Sequence, residues 1–105
     1  MKAKPVILVI GKGYKACDVE EATHLQFKIP SHAGFLNLPV ITKGTREGTG
    51  CWTWNGCTDK PTLRPSVLTQ SHEFRCHSWI TDGNVNYLSD CSHEMAGASE
   101  ELEEM

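Results

Sequence analysis

The chain has no apolar run long enough to cross a membrane, no cluster of basic residues and no sustained 3.6-residue apolar period. The first absence excludes a transmembrane helix, which needs about 20 apolar residues. The second makes tight binding to a phosphate backbone a poor expectation, because that needs several clustered cations. The third argues against helix bundles and coiled coils. No Walker loop is present either: GKG at 11–13 lacks the spacing and reads as a turn after a buried strand. The apolar stretch in MKAKPVILVIGKG, Val6 to Ile10, is shorter than a signal-peptide core, and no small-residue cleavage site follows it. A cytoplasmic protein is expected, and its five cysteines, an odd number, are expected as free thiols or metal ligands rather than as a disulfide set.

What is present suits one small β-rich domain. A length of 105 residues matches a single core, and no repeat or linker divides the chain. Charge is uneven. Residues 1–53 carry seven Lys/Arg against four Asp/Glu, and residues 54–105 carry three against nine. The acidic SEELEEM end is expected to be solvated and frayed, so the domain is placed at 1–97 and the tail at 98–105, with a brief helical turn allowed there. Strands are expected at Val6–Ile10, through Leu25, Phe27 and Ile29, across Leu38–Thr42, at Cys51–Trp54 and at Leu63–Gln70. Pro65 makes the last of these irregular or an edge strand, since it donates no ladder hydrogen bond. Cys17–Ala22 reads as a loop or one helical turn. The expected class is all-β, or β-rich α+β: a small antiparallel sandwich or roll with at most one short helix.

The clearest local signal is RCHSWITDGNVNYLSDCSHEMAG, residues 75–97. Asp82-Gly83 is a two-residue turn that pairs Thr81 with Asn84, Ile80 with Val85 and Ser78 with Tyr87. Extending that register sets Arg75 opposite Asp90. Strand alternation then puts Cys76, Cys91 and His93 on one face and sends His77 to the other. In this register the two cysteines are diagonal neighbours about 7–8 Å apart, too far for a disulfide but suitable for two thiolates on one zinc. The expected metal ligands are therefore Cys76, Cys91 and His93, with His32 as the fourth and Cys51, Cys57 or His77 as alternatives. Zinc is the expected ion, forming a staple for the hairpin. The plain alternative is that the cysteines are small buried hydrophobes.

A catalytic reading of the same residues exists. Cys76 or Cys91 is available as nucleophile, His77 or His93 as base and Asp90 as orienter, and Ser66 is available for a Ser-His-Asp set. These types are common, so no catalytic residue is expected from the sequence. Trp52, Trp54 and Trp79 are expected as core aromatics rather than stacking platforms, given the missing basic groove.

WTWNG (52–56), KPTLRPSV (60–67), RCHSWITDG (75–83) and YLSDCSHEMAG (87–97) together resemble a family of short phage and bacterial proteins of unknown function. Some of its members carry the label ammonia monooxygenase. In that family an F-x-C-P-x-C segment precedes the WNG block, which implies a zinc site completed downstream. Here Phe27 to His32 occupies that place, with Ile29 at the first cysteine position and His32 at the second. The place of Cys91 is often serine in that family, so this chain departs there too, and His32 and Cys91 are expected to complete the set with Cys76 and His93. The resulting expectation is a phage-type zinc-binding accessory protein that binds a host or viral protein, with no nucleic-acid or membrane partner. A zinc-dependent hydrolase with Asp90 near its water, and a metal-free interaction module, are the other two readings.

Overall fold

The computed structural model describes residues 1–30, 35–41, 51–71 and 74–105, apart from the side chain of Ser71. The described residues form ten strands and one turn of 3-10 helix, Val19–Glu21. The strands are β1 Ala3–Val9, β2 Gly13–Ala16, β3 His24–Phe27, β4 Leu36–Ile41, β5 Trp52–Trp54, β6 Leu63–Arg64, β7 Val67–Ser71, β8 Phe74–Thr81, β9 Asn84–Tyr87 and β10 Ser99–Glu101. One sheet runs in the order β2-β1-β3-β4-β5-β6 and the other β10-β9-β8-β7. Every pairing is antiparallel except β4 with β5. The all-β expectation holds. Among the described residues no helix is long and apolar enough to cross a membrane.

The core lies where the inward residues of the two sheets meet. Leu25, Phe27, Val40, Trp54 and Leu63 come from the six-stranded sheet, and Val67, Cys76, Ile80, Val85 and Tyr87 from the four-stranded one. Period-two alternation is clear in β8, where Cys76, Ser78 and Ile80 are buried while Arg75, His77, Trp79 and Thr81 face outward. Trp54 is 1% exposed, as expected of a core aromatic, and its indole N–H donates to the Cys57 carbonyl.

Leu63–Gln70 and the acidic end both differ from the sequence expectation. Leu63–Gln70 is not one strand: Pro65 and Ser66 interrupt it, leaving β6 in one sheet and β7 in the other. Proline has no N–H for a ladder, so the chain turns the corner between sheets there. The acidic end is not frayed either, nor helical. Ser99–Glu101 pairs with β9, and Leu102 enters the core at 3% exposure, its N–H donating to Gly83 O at 2.9 Å. A single apolar residue in an acidic run carries little weight in a sequence pattern, but burying it between two sheets outweighs the charge around it. Leu102→Ala should therefore destabilise the domain by about 2–4 kcal/mol, lowering the melting temperature by about 10–20 °C. A melt within about 2 °C of wild type would show that the tail is not part of the core.

The Asp82-Gly83 turn forms as expected, with φ of 49° and 78°, the left-handed pair that a tight hairpin requires. Gly83 is needed for a second reason. A Cβ there would meet Asp59 O at 3.0 Å and Lys60 Cα at 3.2 Å.

Candidate functional site

The β8–β9 ladder follows the expected register from Thr81–Asn84 to Ser78–Tyr87 and then departs from it. Leu88 N–H still donates to His77 O at 2.8 Å, but residues 88–91 close a turn through Cys91 N–H to Leu88 O. The chain rejoins β8 two residues late, with Ser92 N–H on Arg75 O at 2.9 Å. Ser92, not Asp90, is thus the backbone partner of Arg75. The inserted turn brings Cys91 alongside Cys76 and His77 instead of leaving it on a diagonal.

The consequence on the inner face is a three-residue cluster. One ligand atom each from Cys76, Cys91 and His93 lies within 4.8 Å of the others. His93 Nε2 is 3.4 Å from Cys76 Sγ. Arms of about 2.3 Å to sulfur and 2.0 Å to nitrogen at a tetrahedral zinc place those atoms roughly 3.5 Å apart, so the pair fits. The His93 ring is held by Phe74, stacked at 5.8 Å, and by the edge of Tyr87 at 4.8 Å. Burial, followed by the neighbouring Cys91 sulfur, pushes the Cys76 thiol up to about 11. Metal uptake must therefore displace a tightly held proton, and affinity should rise with pH. All five cysteines are free thiols. His32 lies outside the described residues. The alternatives Cys51, Cys57 and His77 do not join the cluster; Cys57 Sγ instead accepts from Lys60 N–H at 3.2 Å.

On the outer face the structure assembles something the sequence reading had not expected as a site. Ser66 Oγ lies 2.8 Å from His77 Nε2, and His77 Nδ1 lies 3.2 Å from Asp90 Oδ2. The β7–β8 register explains the first contact. Leu68 pairs with His77, so Ser66, two residues back, is the diagonal neighbour on the same face. The inserted turn explains the second, because it swings Asp90 over β8. The Ser66 peptide is anchored from the other sheet by the Trp52 indole N–H, which donates to Ser66 O at 3.2 Å. Asp90 Oδ2 also accepts from Arg75 Nη2 at 2.7 Å and Nε at 3.0 Å. Those bonds, Arg75 first and His77 second, hold the Asp90 carboxyl below the usual carboxylate range.

With Asp90 ionised, Nδ1 carries the imidazole proton and Nε2 is bare, free to accept the Ser66 hydroxyl proton. This is the order nucleophile, base, orienter that acyl transfer requires, recognised by geometry and not by position in the chain. Residues 17–88 match the sequence model of a family described as bacterial ubiquitination-like system serine protease (BubE). The chain belongs to the BubE family. The matched span includes Ser66 and His77 and ends two residues before Asp90. No curated protein and no solved structure matches the chain.

The corrected site thus has two faces. His77 faces Ser66 and Asp90, away from the Cys76–Cys91–His93 cluster, as the alternation had indicated. Asp90 is held by Arg75 and His77 and is not turned toward that cluster, as the zinc-hydrolase reading required. Next along the outer face, Arg64, Trp79, Thr81 and Asn86 line a shallow recess of about 450 Å³. The Arg64 guanidinium lies 5.1 Å over the Trp79 ring and donates to Ile80 O and Thr81 Oγ1. A larger recess, about 660 Å³, lies by Lys28, Phe35 and Glu103 and includes none of Ser66, His77 or Asp90.

Only the β7–β8 register could have revealed Ser66 beside His77 beforehand. The register runs as far as the pairing of Ser71 with Phe74, and the sequence SHEF (71–74) carries no turn signature.

Proposed function

We propose that this chain is a serine hydrolase of acyl bonds, acting on the peptide or isopeptide linkages of a bacterial ubiquitination-like system. The observation that carries this reading is the relay from Ser66 Oγ through His77 to Asp90, at 2.8 and 3.2 Å. Membership of the BubE family supports it and supplies the substrate class. Ser66 Oγ attacks the carbonyl carbon as its proton passes to His77 Nε2. The tetrahedral adduct collapses when the imidazolium returns that proton to the leaving amine, leaving an acyl ester on Ser66. Water, deprotonated by His77, then releases the carboxylate and regenerates Ser66. Asp90 holds the ring in the accepting tautomer and stabilises the imidazolium. A module that only binds a protein partner has no need of this relay, which is why turnover is the better supported reading.

Reaction of the purified protein with a fluorophosphonate, followed by peptide mass mapping, tests the assignment. One phosphonyl adduct on Ser66 is expected. An adduct elsewhere, or none, would reject Ser66 as nucleophile.

The cluster on the other face has a structural role in the same reading. Cys76, Cys91 and His93 hold zinc, which supplies a cross-link between β8 and the segment after β9. Protein made with zinc supplied should contain close to one equivalent, and Cys76→Ser should abolish it. Zinc below about 0.2 equivalents would exclude the metal.

A further inference from the structure

We infer that the Cys76–Cys91–His93 cluster positions the hydrolytic pair His77–Asp90, with Cys91 as the positioning residue that makes this metal-dependent; the inference rests on the serine-hydrolase reading above. Cys76 directly precedes His77, and Cys91 directly follows Asp90. The same two backbone segments therefore carry the base and its orienter on one face and the two thiols on the other. Joining the thiols through one ion fixes the distance between those segments, and with it the bond from His77 Nδ1 to Asp90.

Cys91 also touches the base's own backbone. Its Sγ accepts from His77 N–H at 3.2 Å and donates to His77 O at 3.1 Å. The sulfur that would hold the ion is thus the same atom that holds both polar groups of the His77 peptide. Such hydrogen bonds around a metal's ligands commonly orient the groups beside it. His93 completes the tie from beyond the inserted turn, its Nε2 3.4 Å from Cys76 Sγ. The leverage is large because misplacing a reacting group by 1 Å lowers a rate by roughly a hundredfold.

The test uses the full chain in three states: zinc-loaded, stripped by a chelator, and loaded with cadmium. Cadmium keeps the ligands but lengthens the metal–sulfur bonds. Four readings are taken: metal per chain, the melting curve, the rate of Ser66 phosphonylation, and the far-downfield resonance of the His77 Nδ1 proton. Stripping should slow phosphonylation by at least about tenfold at a temperature where the chain remains folded, and zinc should restore it. Cadmium should alter the rate by about threefold or more and shift the His77 resonance with the melt little changed, which a purely stabilising metal would not do. This comparison is made on folded protein even if the stripped chain unfolds. Ser66→Ala should retain the metal. Equal rates and resonances with zinc and cadmium would overturn the inference while leaving the hydrolase reading intact. Failure to bind either metal would overturn it too. Absence of Ser66 labelling in every state would instead overturn the hydrolase reading, and the inference with it.

Discussion

Ser66→Ala is expected to reduce hydrolysis of a fluorogenic amide by at least about a thousandfold while leaving the fold in place. The oxygen removed is the atom that forms the new bond, and it is the one that stands 2.8 Å from His77 Nε2. The fold should survive because Ser66 occupies the two-residue corner between β6 and β7, not a strand. Its contact with the other sheet is through its backbone carbonyl, which alanine keeps. The substitution deletes one half-buried hydroxyl whose partner, His77, retains its bond to Asp90. A circular-dichroism melt close to wild type, combined with lost turnover, is the expected pair of results. Retention of more than about a tenth of the activity would mean that water or another group is the nucleophile.

Asp90→Asn should lower kcat by roughly ten-thousandfold, although the new side chain has almost the same shape. An amide can donate to His77 Nδ1, which favours the tautomer with the proton on Nε2. That nitrogen then cannot accept from Ser66. The effect should fall on kcat and leave KM nearly unchanged, because the tautomer governs proton transfer in the transition state and not substrate binding.

The same substitution has a signature in acid stability. In the folded chain the Asp90 carboxyl titrates below its ordinary value, chiefly through Arg75 and next through His77. A lowered folded value contributes stability that is present above the unfolded carboxylate value, near 3.9, and is lost as pH falls through the folded one. Melting temperatures of wild type and Asp90→Asn should therefore converge as pH drops below about 4. The pair is largely solvent-exposed, so the gap at neutral pH should be small. A wild-type acid limb parallel to that of Asp90→Asn would show that the Arg75–Asp90 contact does not stabilise the fold.

How far the site could be read in advance differed from residue to residue. Asp82-Gly83 demands a tight turn, so the register of Ser78 to Tyr87 and the opposite faces of Cys76 and His77 follow from local chemistry alone. The Arg75–Asp90 pair was anticipated and forms, but by a different route. The straight ladder assumed for it breaks after Tyr87, and the side chains meet across an inserted turn. Nothing in LSDCS marks that turn, which depends on Ser92 finding the Arg75 backbone. Leu102 was equally hidden, since one apolar residue among glutamates has no periodicity to betray it.

The sequence by itself determined the β class, the Asp-Gly hairpin, the corner at Pro65 as a break in strand regularity, and the grouping of Cys76 with Cys91 and His93. These follow from steric rules and alternation acting over a few residues. Only the tertiary structure decided that Ser66 meets His77, that Asp90 reaches the same imidazole, and that Cys91 touches the base's peptide from behind. Each of those contacts joins segments 11 to 14 positions apart, and each depends on which strand pairs with which and where a ladder slips. Pairing register is set by the burial of whole faces, a property of the assembled sheets and not of any short stretch of chain.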